Sequence, residues 1–172
     1  MNVTISRREI LLSCLAASSA SAAALPRPAT PLEFRSLSGK QVNLAALKGK
    51  VVGVMFFSTD CSHCQHTTTL LGPLYDELHP KGLELCGLAV NPMAAGNLGD
   101  FKTKYKVKFP LGLVTRAEWT RFTDMPATAR GYVPHLVVVD RQGAIVEDHP
   151  GLDRDWWQGQ ETGLRRSFEQ YL

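Results

Sequence analysis

The 172-residue chain contains no apolar run of 18 or more residues, so a membrane-spanning helix is not expected. Charged residues make up only 20% of it, and the formal net charge of +3 lacks the strong basic bias of nucleic-acid-binding proteins. It has only four cysteines, and their spacing does not suggest a disulfide framework. What is present, a 44% share of hydrophobic residues at ordinary length, is typical of one globular domain.

The first 24 residues differ in pattern from the rest. Arg7 and Arg8 precede a modestly apolar stretch and then a run of small residues, which is the order of a cleavable export signal. The run "SRREILL" resembles a twin-arginine signal, while a general secretory signal and a lipid-attachment site at Cys14 are alternatives. We therefore expect a signal at 1–24, a linker at 25–31 and a domain at 32–172 that is periplasmic or secreted, with membrane anchoring a less favoured possibility.

The centre of the chain alternates short apolar runs with segments of helical spacing. Residues 51–57 and 82–90 are apolar on both faces, which predicts strands buried within a covered sheet. Between them, leucines at helical spacing predict a helix from Cys61 to about His79. Gly72–Pro73 is expected to kink or interrupt that helix.

The flanking segments extend the same alternation. Ser38–Gly39 predicts a hairpin turn between two short strands. Later elements are predicted in this order: a helix to about Tyr105, a strand near Phe109, a helix at 116–124, strands at 132–140 and 144–150, and a final helix from near Asp153. Strands that alternate with helices predict an α/β fold with a mixed central β-sheet flanked by helices.

The stretch "FFSTDCSHCQH" carries the chemistry. Cys61 follows a buried strand by a short turn and begins a helix, where unpaired backbone N–H groups and the helix dipole favour a thiolate. Cys64 lies about one turn deeper, and the three-residue spacing brings the two sulfurs within bonding reach. We expect Cys61 to attack a disulfide and Cys64 to resolve the resulting mixed disulfide, with no cofactor beyond this redox-active pair.

Two other interpretations of the cysteine pair stay open. Cys61, Cys64, His63 and His66 are all metal-ligand types, but the second ligand pair that a structural zinc site usually requires does not occur in the sequence. We therefore predict no metal site. A purely structural disulfide is also possible, although so short a loop adds little stability.

The chain resembles the thioredoxin-like disulfide oxidoreductases of the TlpA/ResA type, which overlap with the redoxin and alkyl hydroperoxide reductase group. The matching pieces are "LSGKQVNLAALKGKVVGVMFFSTDCSHC", "FKTKYKVKFPL" and "YVPHLVVVDRQGAIVEDHPG". The resemblance implies a thioredoxin-like fold with an N-terminal β-hairpin and a central βα insertion. It also implies that Pro134 is cis beside Cys61 and that the backbone of Val133 binds an extended substrate strand.

The sequence departs from that family at several positions. Asp60 precedes the first cysteine where relatives have Trp, Ser62 stands where many have proline, and His135 follows Pro134 where Thr is common. Met55 occupies the position of the buried acid of classical thioredoxins, so His63 and His135 are candidates for proton handling.

The direction of the reaction depends on small charge effects. A charged His63 would stabilise the Cys61 thiolate and favour a DsbA-like thiol oxidase, whereas Asp60 acts in the opposite sense. The fold resemblance favours a disulfide reductase. We predict an exported monomeric enzyme that acts on protein thiols and disulfides, draws on a membrane or periplasmic electron donor and binds no nucleic acid. Two less favoured functions are a metal-binding module and a peroxiredoxin-like peroxidase, which "STDCSHC" fits poorly.

Overall fold

The computed structural model describes residues 24–126 and 128–172. The strands in this part of the chain are β1 (Arg27–Pro28), β2 (Glu33–Arg35), β3 (Gln41–Asn43), β4 (Val51–Phe57), β5 (Leu83–Ala89), β6 (Leu111–Leu113), β7 (His135–Val139) and β8 (Ala144–His149). The α-helices are α1 (Ser62–Leu78), α2 (Ala94–Lys104), α3 (Arg116–Thr123), α4 (Arg154–Gln158) and α5 (Gln160–Glu169). Across the described ranges, no helix combines the length and apolar character needed to cross a membrane.

A six-stranded mixed sheet, in the order β1-β8-β7-β4-β5-β6, forms the centre of the molecule. β4 lies inside the sheet, parallel to β5 on one side and antiparallel to β7 on the other, and all seven of its residues are buried. The continuous apolar run at 51–57 thus forms a strand covered on both faces, as the sequence predicted. The predicted α/β class and mixed sheet are confirmed.

Side chains of β4 alternate between two apolar cores. Met55 and Phe57 point to the core that α1 and α5 cover, together with Leu71 and Phe168. Phe56 points to the other core, where α3 supplies Trp119 and Phe122. The face to which a residue points therefore decides whether it can meet the cysteines, since Cys64 belongs to the α1 side.

The expected hairpin and insertion are both present. β2 and β3 form a separate two-stranded sheet, and Gly39 in their turn adopts a φ of +80°, which a side chain would disfavour. The hairpin contacts the edge of the main sheet through a bridge from Ser36 to Gly112. Between β5 and α3, α2 and β6 form the predicted βα insertion, and β6 pairs in parallel with β5.

Two helices differ from the sequence predictions. α1 runs through Pro73 without interruption. Pro73 and Thr69 are both exposed, so water can satisfy the Thr69 carbonyl that loses its helical donor. The final helix is instead divided into α4 and α5 at Gly159, where the low helix propensity of glycine permits a break (φ −95°, ψ 18°).

Smaller differences concern the boundaries. The strand expected near Phe109 begins at Leu111, after Pro110, which has no N–H to donate to a ladder. Within the predicted linker at 25–31, Arg27–Pro28 pairs with β8 as an edge strand of the main sheet. The predicted signal at 1–24 lies outside the described residues except for Ala24.

Candidate active site

Cys61 caps the N-terminus of α1. It has extended backbone angles (φ −83°, ψ 114°), and its sulfur accepts a hydrogen bond from the Cys64 N–H, with Sγ 3.3 Å from the nitrogen. The chain reaches this point by a turn after β4, in which the Cys61 N–H donates to the Ser58 carbonyl at 3.3 Å. The first turn of α1 thus directs an otherwise unpaired N–H at the sulfur, an arrangement that favours negative charge there.

Hydrogen bonds fix the turn that carries Cys61. The buried Thr59 donates its N–H to the Asn91 side-chain oxygen at 3.2 Å, and the Asn91 amide donates to the Thr59 hydroxyl at 3.0 Å. Gln65 on α1 donates to the Thr59 carbonyl at 2.9 Å. Beside them, Asp60 is exposed and accepts a hydrogen bond from the Ser58 hydroxyl. Cys61 therefore lies on a braced turn.

The two thiols lie in different surroundings. Cys61 is half-buried, whereas Cys64 is fully buried on the α1 side of the sheet. Burial, and next the hydrogen bond with Cys61, raise the pKa of the Cys64 thiol far above its ordinary value. Both cysteines are free thiols in this structure. This asymmetry agrees with the roles expected from the sequence, an accessible Cys61 and a sheltered Cys64.

The Val133–Pro134 peptide bond is cis and lies beside Cys61, as the resemblance implied. The Cys61 thiol donates to the Val133 carbonyl, with 3.9 Å between sulfur and oxygen. Pro134 is buried and Val133 half-buried. The Val133 backbone is thus the part of the chain that an extended peptide attached to Cys61 would meet first.

Of the two residues between the cysteines, Ser62 is exposed and His63 is held by α4 and α5. The Gln160 amide nitrogen lies 3.1 Å from His63 Nε2, and the edge of the imidazole meets Trp157 with ring centroids 5.3 Å apart. Burial, with a further contribution from His66, lowers the pKa of His63. This shift disfavours the charged ring on which the oxidase interpretation depended.

His135 lies on the other face of the sheet from the cysteines. It is buried in the core that contains Phe56 and Trp119. Its Nε2 lies 2.6 Å from an Asp148 carboxylate oxygen, and its Nδ1 accepts from the Trp119 indole N–H at 3.2 Å. The prediction that His135 handles protons for the cysteines is therefore wrong in its geometry. A β-strand alternates its faces, and the residue after Pro134 points away from the site.

Sequence reasoning missed Asn91 and Gln160. Asn91 lies two residues after the end of β5, the parallel neighbour of β4, so its position beside the cysteine turn could have been inferred from strand order. Gln160 is 97 positions from its partner His63, and only the folded chain brings the two together.

The remaining ligand types do not converge. Within residues 24–126 and 128–172, no three His, Cys, Asp or Glu side chains are arranged to bind a metal ion. Cys86 lies in the opposite core, where burial raises the pKa of its thiol to about 12. The chemistry that the arrangement supports is thiol–disulfide exchange between an accessible sulfur and a shielded one.

Sequence comparison matches residues 25–148 to the model of the AhpC/TSA family. Among curated proteins, the chain is 29% identical over 112 residues to the thiol-disulfide oxidoreductase ResA of Bacillus cereus (strain ZK / E33L), with 64% of this chain and 61% of that protein covered. It is 27% identical over 84 residues to the "Probable phospholipid hydroperoxide glutathione peroxidase" of Citrus sinensis, covering 45% and 50% respectively. The chain thus spans about three fifths of the length of the ResA protein that it matches.

A solved structure is similar over most of both chains. It is a crystal structure of a thiol:disulfide interchange protein of the thioredoxin family from Chlorobium tepidum TLS, with a TM-score of 0.68 and 22% identity. The match covers 87% of this chain and 99% of that one. The thioredoxin-like fold that the resemblance implied is thereby confirmed.

Proposed function

The chain belongs to the AhpC/TSA family, and from that premise we propose that it is an exported thiol–disulfide oxidoreductase that reduces protein disulfides. One observation carries the proposal: the Cys61 sulfur, at the N-terminus of α1, lies 3.9 Å from the Val133 carbonyl while Cys64 is buried one turn behind it. The ResA similarity supports the same activity.

The reaction requires two exchanges. The Cys61 thiolate attacks one sulfur of a substrate disulfide, a Cys61–substrate disulfide forms, and the other substrate sulfur leaves as a thiolate that takes up a proton. Cys64 then loses its proton and attacks the Cys61 sulfur. The Cys61–Cys64 disulfide forms, and the second substrate sulfur leaves as a thiol. The substrate gains two electrons, and a dithiol donor in the membrane or periplasm must return two electrons to the enzyme.

The surroundings of Cys61 support the reductive direction. A cation beside the thiolate would stabilise the reduced enzyme and make the disulfide a stronger oxidant. His63 is the cation that the sequence offered, and burial lowers the pKa of this residue, which disfavours its charged form. Asp60, exposed and adjacent, contributes negative charge instead.

Cysteine variants test the proposal. Cys61→Ser should abolish the reduction of a protein disulfide such as those of insulin, because the accessible sulfur is lost. Cys64→Ser should accumulate a mixed disulfide with the substrate, detectable by mass spectrometry, because release requires the second sulfur. Cys86→Ser serves as the control, since Cys86 lies in the other core. Adduct formation by Cys61→Ser, but not by Cys64→Ser, would reverse the roles.

Peroxide reduction is the second candidate, because the family match and the citrus relative both allow it. A peroxidase would consume hydroperoxide in the absence of any added disulfide. The same cysteine variants, assayed with hydrogen peroxide and with insulin in parallel, separate the two activities.

A further inference from the structure

A chain of hydrogen bonds joins the residue between the two cysteines to α5. The Gln160 amide nitrogen lies 3.1 Å from His63 Nε2, and the Gln160 side-chain oxygen accepts from the Thr67 hydroxyl at 2.7 Å. Gln160 is only 6% exposed and Thr67 is fully buried. The two contacts of this buried amide constrain its orientation, because turning it over would exchange donor and acceptor at both ends.

The partners determine where the His63 proton lies. An amide NH₂ group can only donate, so His63 Nε2 accepts and the ring proton is on Nδ1. The Thr67 hydroxyl has a single proton, and it also lies 3.0 Å from a second possible acceptor, the His63 carbonyl. If Thr67 donated to that carbonyl, the Gln160 amide could turn over. Its nitrogen would then donate to the Thr67 hydroxyl, and its oxygen would accept from a protonated His63 Nε2. The shorter contact, to the Gln160 oxygen, favours the first arrangement.

The break between α4 and α5 delivers Gln160 to this point. Gly159 ends α4, and Gln160 is the first residue of α5, which packs against α1. α4 and α5 present two uncharged side chains to the imidazole, Trp157 and Gln160. The charge interaction that acts on His63 comes from His66, one turn along α1, while Cys61 and Cys64 flank His63 in sequence and Asp60 precedes them.

We propose that Gln160 is a positioning residue of the redox site, which holds His63 as a neutral, Nδ1-protonated imidazole and thereby sets the reduction potential of the Cys61–Cys64 couple. This rests on the thiol–disulfide exchange proposed above. His63 lies two residues after Cys61 in the first turn of α1, and a positive charge there would stabilise the Cys61 thiolate and hence the dithiol relative to the disulfide. By donating to Nε2, Gln160 opposes protonation at that atom. The Cys61–Cys64 couple therefore has a lower reduction potential than it would have with a charged His63.

The near-isosteric variant Gln160→Glu reverses the polarity of the contact. A carboxylate still accepts from Thr67, but it now also accepts from His63, so Nε2 becomes protonated and the ring charged. Gln158→Glu is the matched control, because it adds the same charge at an exposed position on α4. Gln160→Met, which offers no strong hydrogen bond to Nε2, is the second variant if Gln160→Glu folds poorly.

Two measurements on the full chain test the proposal. Nitrogen-15 NMR of the wild-type imidazole should find the His63 proton on Nδ1 and Nε2 unprotonated at pH 7. In a glutathione redox buffer, Gln160→Glu should shift the equilibrium toward the dithiol by about threefold or more, where tenfold corresponds to about 30 mV. Gln158→Glu should stay near the wild type.

A proton on Nε2 in the wild type would overturn the proposal, as would equal equilibria for Gln160→Glu and Gln158→Glu. Neither measurement requires turnover. A protein with the predicted tautomer and shift that fails to reduce insulin would contradict the proposed function and leave the role of Gln160 intact.

Discussion

At the scale of single residues, two positions that are close in sequence near Cys61 lie in different surroundings. Val133 presents its carbonyl to the Cys61 sulfur, whereas His135, two residues later, is buried on the opposite face with Asp148. The resemblance to TlpA/ResA-type oxidoreductases implied that the Val133 backbone lies at the site. The sequence could not predict the position of His135, because a single residue's side of a strand depends on where the strand begins.

The partly buried hydrogen-bond network around Asp148 provides a test at this scale. Asp148 accepts from His135 and, at 3.3 Å, from Arg27, which also donates to the Phe122 carbonyl at 3.2 Å. Asp148→Ala leaves the buried His135 Nε2–H without its acceptor, while Arg27 keeps the Phe122 carbonyl. We expect it to lower the free energy of unfolding by about 1–3 kcal/mol, the cost of leaving one buried donor unpaired. Denaturant titration measures this.

Glu77→Ala is the control for that experiment, since it breaks an ion pair with Arg165 at the surface. Such pairs contribute little, so only a slight change in unfolding is expected. Disulfide exchange by folded Asp148→Ala should stay near the wild type, because the network and Cys64 belong to opposite cores. An equal loss of stability in both variants would contradict the importance of the network around Asp148.

At the scale of elements, local pattern predicted the type of most helices and strands but not their continuity. α1 continues through Pro73 at an exposed position, where water can reach Thr69, and periodicity alone does not reveal this exposure. The split at Gly159 also could not be foreseen, since an isolated glycine breaks some helices and not others. That split matters for the site, because it determines where Gln160 enters the core.

α1 itself can be strengthened at Gly72. A Cβ added there meets no atom within 4 Å, and glycine inside a helix is less favourable than alanine by about 0.5–1 kcal/mol. We expect Gly72→Ala to raise the free energy of unfolding by about that amount, measured by denaturant titration.

Gly53→Ala is the opposite case and the control. Its Cβ would lie 2.6 Å from Leu85 Cδ2 and 2.8 Å from Phe168 Cε1, inside the α1 core. This variant should be destabilised by overpacking. A destabilised Gly72→Ala would mean that this part of α1 is less regular than described.

At the scale of the whole molecule, stability should fall on acidification. Because burial lowers the pKa of His63, the unfolded chain binds this proton more readily than the folded protein does. The folded state is therefore favoured above the unfolded pKa of about 6.5 and loses stability as the pH falls below it. Burial would raise the pKa of Glu147, but hydrogen bonds from His149 and Ser167 outweigh burial and lower the pKa. Protonation of Glu147 therefore removes further folding stability at lower pH.

Unfolding titrations at pH 7.5 and 5.5 measure the first effect. His63→Gln should flatten the pH dependence in this window, because the residue that titrates is gone. His66→Gln should retain most of it, since burial and not His66 is the main cause of the shift. A wild-type stability that is constant or rises toward pH 5.5 would contradict the assignment.

The two margins of the main sheet have a consequence for aggregation. β1 is only two residues long and ends in Pro28, which has no N–H to offer a neighbouring strand. At the other margin β6 is three residues long, and the hairpin covers it through the Ser36–Gly112 bridge and a Leu37 N–H bond to the Leu111 carbonyl. Exposed edge strands can pair with other chains and promote aggregation. Here the edge strand β1 is short, and the edge strand β6 is short and covered by the hairpin. A protein proposed to bind extended segments of its substrates thus offers them little free strand edge on which to aggregate.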